Sequence, residues 1–184
     1  MKNTFMQAWE AWLERFVTQH EKEYNRLPVT CSDDEWPSPC DQGKSDDDEI
    51  FWRPVPQPHE HHFENVEEAL EMQLNEQLKW FYTSFYAEPL TAKHPRGDLQ
   101  LLLPWNEADF KRLQENLIAH VLMKRRLKQR ETLFIATTDE DDWMISILNE
   151  TGEVVLERVG KEPQEVLAPD LLSFFSHITP VAAY

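Results

Sequence analysis

His59, Glu60, His61, His62 and Glu64 form the densest run of potential metal ligands in the sequence. Imidazole and carboxylate groups together hold zinc and related cations, so the chemistry on offer would be that of a metal centre. His61 and His62 are adjacent, however, and in an extended segment adjacent side chains point to opposite faces. No HExxH motif and no cysteine pair completes a ligand set. A solvated polar loop accounts for the same residues, and neither a metal nor a cofactor is expected. Cys31 and Cys40 are the two cysteines. Either can be drawn with a distant histidine as a nucleophilic dyad, yet nothing local marks an activated thiol. Two cysteines are too few for a disulfide scaffold, and free thiols in a reducing compartment are expected. The GxSxG, Walker and GxGxxG motifs are absent from the sequence. Acid pairs are so numerous that a glycosidase-like pair could be drawn almost anywhere, which empties that signal. Catalysis is not expected, and a metal-dependent enzyme is the least favoured alternative.

The charge pattern says more. The chain has 184 residues with 34 acids against 18 bases, a formal net charge of −16. A surplus of that size repels nucleic acid and anionic lipid head groups and attracts cationic partners. It is also unevenly placed. From Asp33 to Glu71, thirteen carboxylates face only Lys44 and Arg53. From Lys111 to Arg130 the sign reverses, with seven cations against Glu115 alone. Solvated faces, and cations placed at the end of a helix, account for part of this. An electrostatic docking surface, whose focused negative potential speeds encounter with a basic partner, accounts for the clustering.

These side chains must be held by a small set of elements. At this length one domain with a real core is expected, spanning 1–184, with 25–49 as an acidic, loop-rich arm. Phe5, Trp9, Trp12, Leu13, Phe16, Val17, His20 and Tyr24 fall at steps of three and four, which predicts an amphipathic helix over 4–24. Ile50-Phe51-Trp52 reads as a short strand stopped by Pro54 and Pro56. Val66, Leu70, Leu74, Leu78 and Phe81 predict a second helix over 66–86, capped by Asn65. Strands over 89–92 and 99–103 flank a turn at Pro95-Arg96-Gly97-Asp98. Asn106 with Asp109 gives capping-box spacing, and Trp105 with Phe110 the spacing of a hydrophobic staple, so a third helix starts there and ends in the basic run Lys124 to Lys128. A meander over 132–137, 143–148 and 153–159 follows, then a helix over 169–178. The sum is an α+β domain, an antiparallel-rich sheet of four to six strands with packed helices. The apolar runs are far short of a membrane span, no signal core is present, and direct membrane insertion is not expected.

Several short blocks occur in an order that carries a resemblance. They are Ser38-Pro39-Cys40, Phe81-Tyr82-Thr83, Gly97-Asp98-Leu99, Trp105 to Phe110, Gln114 to Ile118, Arg126-Leu127-Lys128, Thr132 to Thr137 and Thr151-Gly152-Glu153-Val154. In that series the chain resembles the Syd family of SecY-interacting proteins, which is related to the broad SUKH group. The match departs at His59 to His62 and at Asp46 to Glu49. The resemblance implies a SUKH/Syd-like fold without catalytic residues. It also implies a cytoplasmic protein loosely held at the cytoplasmic side of the inner membrane through SecY, the translocation channel. There an acidic groove would meet basic cytosolic loops of the channel and monitor or negatively regulate its complexes. Glu64, Glu67, Glu68, Asp98, Glu107 and Asp109 are the candidate partner-binding residues, with Asp109 and Trp105 also explained as helix-start residues. The alternative from another class is an immunity-type inhibitor whose acidic face blocks a basic toxin.

Overall fold

The aromatic stripe predicted at the N-terminus folds as α1, Lys2–Tyr24, in the computed structural model, which describes residues 1–183. Asn25 ends the helix in the left-handed conformation with its N–H on the Glu21 carbonyl, a position that Asn tolerates better than most residues. Phe5, Trp9, Trp12, Leu13, Phe16 and His20 are buried along one face. Trp9 stacks on Phe175 with ring centroids 4.8 Å apart and donates its indole N–H to Ser84 Oγ at 2.9 Å. Trp12 donates its own to the Ile178 carbonyl. His20 donates from Nδ1 to the Phe16 carbonyl and accepts the Ala183 N–H at Nε2. Truncating either buried tryptophan to alanine should cost about 3–5 kcal/mol.

The segment after α1, expected as a loop-rich arm, carries β1 (Val29–Cys31) and β2 (Asp41–Asp46), which flank β3 (Glu49–Trp52) in a small antiparallel sheet of order β1-β3-β2. All six residues of β2 are exposed, so the strand shows no alternation of polar and apolar side chains. The arm is pinned to the rest of the molecule. Ser38 donates to the Trp105 carbonyl, Asn106 Nδ2 to the Pro37 carbonyl, and Trp105 Nε1 to the Trp36 carbonyl. Next come β4 (Val55–Pro56), α2 (Glu64–Leu70), α3 (Glu76–Tyr82) and β5 (Phe85–Tyr86), with β4 and β5 paired.

The single helix predicted over 66–86 is therefore two. Glu71 turns left-handed at φ 51°, and Asn75, not Asn65, is the cap, accepting the N–H groups of Gln77 and Leu78. Glu67 Oε2 closes the break by accepting the Leu74 N–H at 2.9 Å. Asn65 instead donates to Gln114 Oε1 of the third predicted helix.

The main sheet is built from β6 (Leu90–His94), β7 (Gly97–Leu101), β8 (Thr132–Thr138), β9 (Trp143–Leu148), β10 (Val154–Arg158), β11 (Glu165–Ala168) and β12 (Thr179–Pro180). Its order is β11-β10-β9-β8-β7-β6-β12, with antiparallel neighbours throughout. The α+β class holds, with seven strands where four to six were expected. β12 is two residues long and pairs with β6, and β11 follows a loop rather than a tight turn, so neither leaves a period in the sequence. Between β7 and β8 lies α4, Glu107–Arg126, the predicted third helix. α5 (Leu171–Phe175) is shorter than predicted because Asp170, not Pro169, starts it, accepting the Ser173 N–H.

Candidate partner-docking surface

Val66 and Leu70 bury one side of α2, which leaves Glu64, Glu68 and Glu71 pointing outward. With Glu67, Met72 and Gln73 they line an open hollow of about 490 Å³. Glu64, Glu68 and Glu71 have no ion-pair partner among the described residues. Glu67 differs, because its carboxylate is largely buried (side chain 12% exposed) and is spent on the Leu74 N–H and on Lys79 at 3.3 Å. Its work is to hold the α2–α3 break. At the hollow's edge Arg125 Nη2 reaches Met72 Sδ at 3.4 Å, so α2 lies alongside α4 between the Asn65–Gln114 contact and this one.

Glu107 and Asp109 stand in the first turn of α4, where carboxylates favour the helix macrodipole. Asn106 Oδ1 accepts the Asp109 N–H at 2.8 Å, and Asp109 Oδ2 accepts the Trp105 N–H, so the helix start is closed reciprocally as its spacing implied. Asp109 Oδ1 also takes Arg112 Nη2 at 2.6 Å. Trp105 packs edge-on against Trp52, while Phe110 packs on Phe63 and stacks on His61 at 4.6 Å.

Asp109 lines a second hollow, of about 320 Å³, together with Trp36, Glu88, Pro104, Trp105 and Arg112. Negative charge gathers under this end of α4. Burial raises the pKa of Glu88, Asp109 adds to it, and a hydrogen bond from Thr30 opposes it. Burial likewise raises Tyr86, with Glu107 and Glu60 contributing, and pushes the Cys40 thiol up to about 11. Positions 109, 112, 113 and 116 lie roughly opposite 114 and 125 around a helix of about 3.6 residues per turn. The two hollows thus sit on opposite flanks of α4.

The six candidates therefore fall in three places. Glu64, Glu67 and Glu68 share the α2 hollow, Glu107 and Asp109 share the start of α4, and Asp98 stands apart on β7 beside Thr91, Asp139 and Val181. Glu71, Glu88 and Trp36 complete these hollows and were not singled out. Glu88 follows β5 as an isolated acid before Pro89, and nothing in its neighbours marks it. The histidine run is occupied otherwise. His61 donates from Nδ1 to Gln57 Oε1 at 2.9 Å, and His62 Nδ1 accepts the Glu64 N–H. Among the described residues no cluster of His, Cys, Asp and Glu is arranged to hold a metal ion, and no helix is long and apolar enough to cross a membrane.

Fold and surface together define a mixed α+β protein with one wide antiparallel sheet and carboxylates gathered in open hollows. The family described as Syd protein (SUKH-2) matches residues 6–180. Protein Syd of Pseudoalteromonas atlantica is 42% identical over 183 residues, covering 98% of each chain. Protein Syd of Colwellia psychrerythraea is 40% identical, over 96% of this chain and 92% of its own. Protein Syd of Pectobacterium atrosepticum is 38% identical, over 99% of this chain and 100% of its own. The chain belongs to the Syd family.

Proposed function

We propose that this protein acts by binding rather than catalysis, docking its acidic surface on basic cytosolic loops of the SecY translocation channel. It monitors or negatively regulates channel complexes, and it lies at the cytoplasmic side of the inner membrane through that contact, without entering the bilayer. The observation that carries this reading is the α2 hollow, where Glu64, Glu68 and Glu71 face solvent with no ion-pair partner among the described residues. Unneutralised carboxylates in a shared concavity focus negative potential and draw a cationic segment. Membership of the Syd family supports the same reading.

Co-sedimentation with SecY-rich and SecY-depleted membranes tests it. Retention should follow SecY content and fall steeply as salt rises, because exposed charge pairs are screened within about 8 Å at physiological ionic strength. The triple variant Glu64→Gln, Glu68→Gln, Glu71→Gln should weaken retention about tenfold, at a few tenths of a kcal/mol to one per exposed pair. Glu67 is left in place, since its loss would open the α2–α3 break. Equal retention on SecY-depleted membranes removes SecY as the partner.

A further inference from the structure

The hollow on the other flank of α4 has a different make-up from the α2 hollow. Its walls are Trp36, Pro89, Leu103, Pro104, Trp105 and Phe134, and its polar groups are Glu88, Asp109, Arg112 and Asn116. One guanidinium is already seated at its rim. Arg112 lies over the Trp36 ring, 5.5 Å from its centroid, while bonding Asp109 Oδ1. The site thus displays, with the chain's own arginine, the combination of aromatic face and carboxylate that holds a planar cation. Glu88 is the second carboxylate of the hollow, and it is half-buried with no ion-pair partner among the described residues. A carboxylate drawn out of water without a cation is costly, and a cation brought to it restores the balance.

We propose that this hollow seats an arginine side chain of the docked segment, with its guanidinium paired to Glu88 and flanked by the tryptophan-lined wall. The seat rests on the docking reading above and adds to it the residue type recognised. Arginine is favoured over lysine because its planar, weakly hydrated head stacks on aromatic rings and bonds a carboxylate in two places. The apolar walls also exclude water from the pair, which strengthens it relative to an exposed contact. Arg112 is then a resident competitor. It holds the Trp36 face and places a positive charge where the incoming one must pass.

The probe is an acetylated Gly-Arg-Gly amide peptide, titrated into the full chain while the tryptophan indole N–H signals are followed by NMR. Its citrulline twin, identical in shape but uncharged, is the control. The arginine peptide should move the Trp36 and Trp105 indole signals, and the citrulline peptide should bind at least about tenfold more weakly, as loss of a charged hydrogen bond implies. Glu88→Gln should weaken arginine binding about tenfold by the same term. Arg112→Gln should tighten it about threefold, the effect of removing a like charge at roughly 7 Å in water. That gain cannot arise from a misfolded variant. Lys111→Gln, one residue away and equally exposed, should leave binding unchanged. Equal binding of the two peptides, indole signals that stay still, or tightening by Lys111→Gln as large as by Arg112→Gln would overturn the seat. The membrane assay separates the two readings. Protein that ignores SecY yet takes the arginine peptide through Glu88 keeps the seat and loses the channel. Protein that follows SecY without preferring arginine over citrulline keeps the channel and loses the seat.

Discussion

Replacing Lys124 with methionine should cost about 3–5 kcal/mol, and replacing Glu157 with leucine in the same molecule should restore most of it. Both side chains are fully buried between α4 and the main sheet. Lys124 Nζ stands 2.5 Å from Glu157 Oε1, donates to the Lys161 carbonyl at 2.6 Å, and donates to Gln129 Oε1 at 3.3 Å. Lys161 and Gln129 take two of the three ammonium protons, and Glu157 supplies the counter-charge. On the other side of the carboxylate, Thr132 donates its hydroxyl to Glu157 Oε2 at 2.6 Å. Oε1 faces the ammonium outside regular hydrogen-bond geometry and has no other partner, so the ion pair alone satisfies it. Removing the lysine strands a buried negative charge whose desolvation costs several kcal/mol.

A domain of this size is stable by about 5–15 kcal/mol, so the single variant should lose a large share of its margin. At roughly 2–4 °C per kcal/mol, its melting temperature should fall about 6–20 °C. The double variant Lys124→Met, Glu157→Leu removes both charges and fills the space with apolar volume. It frees the Thr132 hydroxyl, which has His120 Nε2 within 2.9 Å as a second partner. Its stability should return to within about 2 kcal/mol of the parent or exceed it. Urea denaturation at pH 7, with the slope of the transition compared between variants, measures both. A single variant that loses less than about 1 kcal/mol, or a double variant no better than the single, refutes the reasoning.

Asn106→Ala should cost about 1–2 kcal/mol in thermal or urea unfolding, because it removes the cap on the Asp109 N–H and also the bond to the Pro37 carbonyl that pins the arm. Burial holds the His120 pKa below its ordinary value, with Glu157 opposing and Lys124 reinforcing. The unfolded chain therefore binds a proton below pH about 6.5 that the folded chain refuses, and stability falls as pH drops through that window. Against parallel unfolding curves at pH 7 and pH 5.5, His120→Asn should lose less than the parent does. Cys31 is exposed, whereas Cys40 is buried with its thiol pushed up to about 11. A chromogenic disulfide reagent at pH 8 should therefore titrate one thiol at once and the second only after denaturation.

The parts of this fold that the sequence made legible are those coded by neighbours. Asn106, Asp109 and Phe110 announce the start of α4 within five residues, and the stripe of α1 repeats often enough to be read without a partner. The α2–α3 break was hidden because Leu70, Leu74 and Leu78 keep helical spacing across it, while the carboxylate that closes it comes from Glu67, seven residues before the N–H it accepts. β2 was hidden because both of its faces meet water. For the site, the acidic surplus of α2 was readable since it lies on one short helix. The hollow of Trp36, Glu88 and Asp109 was not, since three segments distant in sequence assemble it and each residue is unremarkable in its own stretch.

The reversal of charge along the chain also reads differently once folded. Of the seven cations from Lys111 to Arg130, all but Arg126 and Lys128 are paired with carboxylates among the described residues. Lys124 is buried on Glu157, Arg125 pairs with Glu131 at 2.9 Å, and Arg130 pairs with Glu162 at 3.1 Å. Among the described residues Glu64, Glu68 and Glu71 have no such partner, so the negative charge of α2 faces outward while the positive charge of α4 is mostly paired. The two hollows lie on opposite flanks of α4, a helix about 10 Å across, and an extended chain spans that width in no fewer than about three residues at 3.3 Å each. A segment that lays one cation against Glu64, Glu68 and Glu71 and an arginine against Glu88 must therefore space them by at least that many residues. A contiguous pair of cations can satisfy only one flank at a time.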